Sequence, residues 1–108
     1  MLILFDNGTP RGIASSLQDH TVREARALGW DTLSNGELLK SAGEAGFDVL
    51  LTTDRSIAYQ QNLERRKIAI VVLGKGRWRL IKLMLPQVVA TLNAAKPGSC
   101  TVVDIPDR

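Results

Sequence analysis

Two short apolar runs constrain the fold of this chain more than any other feature. Leu2–Phe5 and Val49–Thr53 consist of apolar and β-branched residues, without the alternation of a strand that has one face in water. Continuous runs of this kind are typical of strands covered on both faces, as in parallel sheets. We therefore expect both to be central strands. Two further runs of the same character lie at 68–73 and 99–105, and a less apolar segment around 20–25 is a candidate strand.

Helix signals lie between these runs. Thr9 and Pro10 stand in the order of an N-cap and a first helical position, and this helix is predicted to end near residue 18. Ser34 and Glu37 have the spacing of a capping box, and Gly46 is placed to end the second helix.

Two more helices are predicted, at about 57–66 and at 77–95, and Pro86 should kink or divide the second of them. Strands that alternate with helices in this way predict an α/β sandwich with a mostly parallel sheet and right-handed crossovers.

The length of the chain allows one compact domain, because 108 residues correspond to one ordinary domain, here 1–108. A content of 44% hydrophobic and 23% charged residues is that of a soluble globular protein. The single cysteine, Cys100, excludes an internal disulfide and a zinc site built from several cysteines, which suits a reducing cytoplasm. Because the first apolar run stops at Asp6 and has no basic leader, we expect neither a signal peptide nor a membrane span.

Charge is distributed unevenly along the chain. Residues 1–54 carry a net charge of −4, whereas residues 55–108 carry +7, and eight of the basic residues lie between 55 and 82. Such a surface would attract the phosphates of a nucleic acid, and a solvated basic face is the alternative. Trp30 and Trp78 could stack on bases, although packing in a core or interface is the commoner role of tryptophan.

Asp6 and Asp54 each directly follow a predicted central strand. Ligands of parallel sheets bind beyond the carboxyl ends of the strands, so neighbouring strands would bring these two carboxylates into one crevice. Glu37 is the third candidate. Converging carboxylates repel one another unless a cation neutralises them, and Mg²⁺ or Mn²⁺ suits a site made of oxygen ligands. Beside a basic surface, such an ion would support phosphodiester hydrolysis.

Each of the three acids also has a structural interpretation. Asp54 could cap a helix, Asp6 could close the Asn7-Gly8 turn, and the capping box fully explains Glu37. His20 is the only histidine, and nothing in the sequence places a nucleophile beside it.

Several motifs together resemble a known family. In chain order they are Leu4-Phe5-Asp6-Asn7 with Pro10 and a following helix, Leu33–Leu39 with Ala42, Val49–Asp54, and Lys96–Ser99 between a long helix and the last strand. This set spans nearly the whole chain and resembles the small PIN-like proteins of the DUF5615 class. The resemblance implies a three-layer α/β/α sandwich with a mostly parallel central sheet. It also implies a nuclease that depends on Mg²⁺ or Mn²⁺, because PIN domains are metal-dependent nucleases. Many of them are RNA-cleaving toxins of bacterial toxin–antitoxin pairs.

Carried over residue by residue, the resemblance makes Asp6, Glu37 and Asp54 the catalytic and metal-binding acids. Many relatives have a further acid two residues after the third one, where this chain has Ser56. Ser56 could hold a metal-bound water, and Asn7 could supply a neutral oxygen.

Arg11 and Arg55 are each close in sequence to an acid and would steer the RNA phosphate. RNA and a cognate antitoxin are then the expected partners. The alternative is a catalytically silent PIN-like module that binds a protein or a nucleic acid, which Ser56 favours. The predicted helix at 77–95 is apolar over more than one stripe, so we also expect the chain to associate with itself, for example as a homodimer. The alternative is that these apolar residues are buried inside one chain.

Overall fold

Five strands form one sheet in the middle of the fold. The computed structural model describes residues 1–57, 67–74 and 77–105. All strands are parallel, in the order β2-β1-β3-β4-β5. They are β1 (Leu2–Phe5), β2 (Thr21–Glu24), β3 (Val49–Thr52), β4 (Ala69–Leu73) and β5 (Cys100–Val103). The predicted α/β class and the parallel sheet are therefore confirmed, and the thinner candidate strand is β2.

Apolar side chains cover both faces of the central strands, whereas β5, at one edge, is exposed except at Val103, so the expectation of a covered strand there is wrong. Every residue of β3 and β4 is buried, as their continuous apolar runs predicted. Because strand side chains alternate between faces, Phe5 and Leu51 lie in one core cluster and Leu4 and Leu50 in the other. The first cluster includes residues from 13–17 and 80–92, and the second includes residues from 38–47 and Ile57. Residues 58–66, between β3 and β4, lie outside the described residues, so the complete three-layer arrangement stays a prediction.

Helix α1 (Asn35–Glu44) begins with the predicted capping box. Ser34 Oγ accepts a hydrogen bond from Glu37 N at 3.3 Å, and Glu37 Oε1 accepts one from Ser34 N at 3.2 Å. After the helix, Gly46 adopts a φ of +85°, a left-handed conformation in which a side chain would be strained. Both ends of α1 therefore follow from local sequence signals.

The segment after β1 differs from its prediction. Arg11–Ser16 form a 3₁₀-helix rather than an α-helix, and Pro10 takes the N-cap position without a side-chain cap. The Thr9 hydroxyl is occupied elsewhere, because it donates to Leu51 O at 3.1 Å. Thr9 thus fixes the segment to the sheet instead of capping a helix.

The predicted helix at 77–95 is divided, as Pro86 indicated. It consists of α2 (Trp78–Ile81), a 3₁₀ turn (Lys82–Met84) and α3 (Leu85–Ala94). Pro86 lies in the first turn of α3, where its missing N–H is tolerated, and its ring would clash within a continuous α-helix. The helix predicted at 57–66 lies outside the described residues, apart from Ile57. In the described parts of the chain, no helix has the length and apolar character needed to cross a bilayer.

The connections between strands do not share one hand. Arg11–Ser16 connects β1 to β2, towards one edge of the sheet, and contributes to the first core cluster. Helices α2 and α3 connect β4 to β5, towards the opposite edge, and contribute to the same cluster. Two connections on one face that step in opposite directions have opposite hands. The expectation of right-handed crossovers throughout is therefore wrong for one of these two.

Candidate functional site

The strand order reverses between β1 and β3. The chain passes from β1 outward to β2 and then returns beyond β1 to form β3. In doubly wound sheets, ligands bind in the crevice at the carboxyl ends of the strands at such a reversal. β1 and β3 are hydrogen-bonded neighbours, and Asp6 N extends their pairing by donating to Leu51 O at 3.0 Å. Asp6 and Asp54 therefore leave the sheet at the same edge.

Thr52, the last residue of β3, connects the two acids. Its hydroxyl donates to Asp6 Oδ2 at 2.7 Å and accepts from Asp54 N at 3.1 Å. The side chain is fully buried, so these bonds are shielded from water. Asp6 is half-buried, and its Oδ1 accepts from Asn7 N at 2.8 Å. Sequence reasoning did not single out Thr52, although it lies in the run that leads to Asp54.

The carboxylate of Asp54 is held by its neighbours. Asp54 Oδ1 accepts from Ser56 Oγ at 2.6 Å and from Ser56 N at 2.9 Å, and Oδ2 accepts from Asn35 Nδ2 at 3.3 Å. These hydrogen bonds, the Ser56 hydroxyl first, lower the pKa of Asp54, so it is ionised at neutral pH. Asn35, the first residue of α1, ties that helix to the site and was also missed by sequence reasoning.

Glu37 is not grouped with the other two acids. Its carboxylate completes the capping box of α1, and hydrogen bonds with the Ser34 side chain and then with Ser34 N lower its pKa. Among the described residues, no three Asp, Glu, His or Cys side chains form a group able to hold one ion. The convergence of Asp6, Glu37 and Asp54 on one ion therefore stays a prediction.

Two of the predicted substrate-binding side chains have partners of their own. Asn7 Nδ2 donates to the main-chain oxygen of Asp31 at 3.0 Å. Arg11 Nε donates to Glu24 Oε1 at 2.7 Å, a pair that also lines an open cleft of about 260 Å³. Arg11 is thus paired with a β2 carboxylate, not with an acid of the candidate site.

Arg55 extends across the same edge of the sheet. Its guanidinium lies 4.0 Å from Asp104 Oδ1, just beyond β5. A Cβ added to Gly74, at the end of β4, would lie 3.0 Å from Arg55 Nη2, so the absence of a side chain there leaves room for the guanidinium. Asp104 is a further acid at this edge that sequence reasoning missed, because it lies inside the run at 99–105 although it directly follows β5.

His20 lies at the other end of the sheet, before β2. Its Nδ1 is 3.0 Å from the amino group of Met1, and its Nε2 is 2.8 Å from Asn93 Oδ1. Its contacts are structural, and none of them involves Asp6 or Asp54.

A comparison of the chain with protein-family models, with curated proteins and with solved structures found no match. The resemblance to PIN-like proteins therefore rests on the sequence motifs.

Proposed function

We propose that this protein is a ribonuclease that uses a divalent cation at the carboxyl edge of β1 and β3. The observation that supports the proposal is the pair Asp6 and Asp54, which follow neighbouring parallel strands at the reversal of strand order and share the Thr52 hydroxyl. This location is where doubly wound sheets bind ligands.

The donor atoms fit a hard cation. A carboxylate oxygen has two acceptor positions, and each oxygen of Asp6, like Asp54 Oδ2, accepts one described hydrogen bond. Asp6 and Asp54 would thus hold Mg²⁺ or Mn²⁺, which keep several waters and need few protein ligands. Bound there, the ion would supply an activated water and charge stabilisation for phosphodiester hydrolysis.

The remaining side chains would act on the RNA itself. Arg55 extends from the site towards Gly74 and is more than half exposed, so it can contact a phosphate at this edge. Ser56 fixes the orientation of the Asp54 carboxylate. Glu37 would join the metal-binding set only if its carboxylate turned away from Ser34 N.

The biological role follows from the PIN-like resemblance. An RNA-cleaving toxin of this class acts in the cytoplasm and is inhibited by a cognate antitoxin. The net charge of +7 on residues 55–108 supports RNA as the substrate, because phosphate groups bind basic surfaces. A small DNA-binding protein encoded beside this chain that forms a complex with it would support the toxin role.

Asp-to-Asn substitutions test the enzymatic proposal. We expect the wild type to cleave single-stranded RNA with Mg²⁺ or Mn²⁺ and to stop when the cation is chelated. Asp6→Asn and Asp54→Asn should lower the cleavage rate by about 100-fold or more, because each removes a charged ligand. Asp19→Asn is the matched control, since Asp19 is exposed and lies at the other end of the sheet. Equal cleavage by all variants, or cleavage that persists under chelation, would contradict the proposal.

The second candidate function is a catalytically silent module that binds a protein or a nucleic acid. It is favoured by Ser56, which stands at the position where many PIN-like proteins have another acid, and whose hydroxyl donates to Asp54 Oδ1. Ser56→Asp separates the two functions. A nuclease limited by the missing acid should cleave faster in this variant, whereas a binding module should stay inactive on every RNA tested and still bind its partner.

A further inference from the structure

Trp78 lies against Gly12 at the surface of the molecule. A Cβ on Gly12 would lie 2.5 Å from Trp78 Cζ2, 2.7 Å from Cη2 and 2.9 Å from Cε2, closer than atoms can pack. The benzene ring of the indole therefore contacts the Gly12 backbone directly. Trp78 is 37% exposed and belongs to neither core cluster. Its ring thus contacts the Gly12 backbone, while more than a third of the residue's surface is open to solvent.

Basic residues flank this tryptophan in sequence, and another is next to its contact residue Gly12. Arg77 and Arg79 flank it and are exposed, and within the described residues neither forms an ion pair. Arg11, next to Gly12, is also exposed. We call the group formed by Gly12, Trp78, Arg77 and Arg79 the Trp78 platform.

The Trp78 platform lies at the same edge of the sheet as Asp6. Arg11–Ser16 begins beyond the carboxyl end of β1, and α2 begins beyond the carboxyl end of β4. A strand of nucleic acid bound to the platform would therefore have its backbone at the edge where β1 and β3 carry their acids.

We propose that the Trp78 platform binds single-stranded RNA, with one base stacked on the indole and phosphates on Arg77 and Arg79. An exposed aromatic ring beside exposed arginines is the combination that binds single strands, because every base has a face that can stack and every nucleotide has a charged phosphate. Double-stranded RNA lacks an exposed base and fits the platform poorly. The substrate class rests on the proposed function, but binding here requires neither the metal nor cleavage.

Gly12 provides a test of the geometry that is separate from the charges. Any side chain at this position would displace the indole, whereas Arg77 and Arg79 would keep their charges. Gly12→Ala should therefore weaken RNA binding about as much as Trp78→Ala, while Trp78→Phe, which keeps a stacking ring, should largely retain it.

Tryptophan fluorescence measures this contact directly. The chain has two tryptophans, so Trp30→Phe leaves Trp78 as the only one. We expect a single-stranded oligonucleotide of about ten residues, added to this variant with a chelator present, to quench its fluorescence saturably. A duplex of the same length should quench little. Anisotropy of labelled RNA with the otherwise wild-type chain provides a second measurement that does not depend on Trp30→Phe, and Trp78→Ala should lower the affinity about tenfold in it.

Three outcomes would overturn the proposal. They are an absence of quenching, unchanged affinity in Trp78→Ala, and fluorescence that changes with protein concentration alone, which would make a second copy of the chain the occupant. Quenching by RNA combined with an absence of cleavage would support the platform while contradicting the ribonuclease. Cleavage that Trp78→Ala leaves unchanged would do the reverse.

Discussion

The hydroxyl of Thr52 is the smallest group on which the candidate site depends. It accepts a hydrogen bond from Asp54 N and donates one to the Asp6 carboxylate, so the ends of β1 and β3 are connected through one buried side chain. The positions of Asp6 and Asp54 could be predicted because both follow apolar runs. The role of Thr52 could not, because it depends on the register between the two strands, and that register is set by tertiary packing.

Replacement of Thr52 tests this path. Thr52→Val should lower the free energy of unfolding by about 1–3 kcal/mol, because it removes the buried hydroxyl that bonds to the half-buried Asp6 carboxylate and to Asp54 N. Thr52→Ser is the control, since it keeps the hydroxyl. Urea denaturation measures both, and a loss in Thr52→Ser as large as that in Thr52→Val would contradict the expected dominance of the hydroxyl.

At the scale of elements, the start of a helix could be predicted from a capping residue only where that side chain had no other hydrogen bond to make. The Ser34 hydroxyl has no competing partner in the described part of the chain and caps α1, whereas the Thr9 hydroxyl bonds to the sheet and the next segment is a 3₁₀-helix. Pro86 acts through the shape of its own ring, so the division of the long helix could be predicted as well. A side chain that can bond to either the helix or the sheet is the case that sequence alone does not decide.

The capping box gives α1 a measurable pH dependence. Ser34→Ala should destabilise the protein by about 1 kcal/mol at neutral pH and raise the pKa of Glu37 towards its ordinary value of 4.5. A carboxyl group with a lowered pKa stabilises the folded state above its ordinary pKa, and this contribution disappears as the pH falls through the lowered value. The difference from wild type should therefore shrink in acid. Urea denaturation across pH and NMR titration of Glu37 check both points, with the exposed Ser16→Ala as control; a difference that stays constant in acid would exclude the box.

For the whole molecule, the parallel sheet could be predicted because continuous apolar runs are typical of strands that are buried on both faces. The hand of each connection could not, because it depends on which face a helix covers and not on its composition. The sequence also does not show which apolar residues of the predicted long helix are buried within the chain. Leu80 and Ile81 are buried within the chain, whereas Leu83, in the turn before α3, is 67% exposed.

Self-association of the chain stays a prediction, and Leu83 is the residue to test. If copies of the chain associate through this surface, Leu83→Glu should shift the sedimentation profile towards the monomer, because a charge would replace exposed apolar area. Leu28→Glu is the matched control, since Leu28 is an exposed leucine beside β2. A monomeric wild type at all working concentrations would show the prediction to be wrong.

The sharing of one core cluster by the connections β1–β2 and β4–β5 also affects how the chain emerges during synthesis. One layer of the core joins Ile13 and Leu17, near the start of the chain, to Val88 and Leu92 of α3. A nascent chain that ends before α3 has made β1 to β4 but must leave Ile13 and Leu17 partly uncovered. The emerging chain therefore exposes an apolar face that closes only after α3 has left the ribosome, so a chaperone would have most to bind before that point.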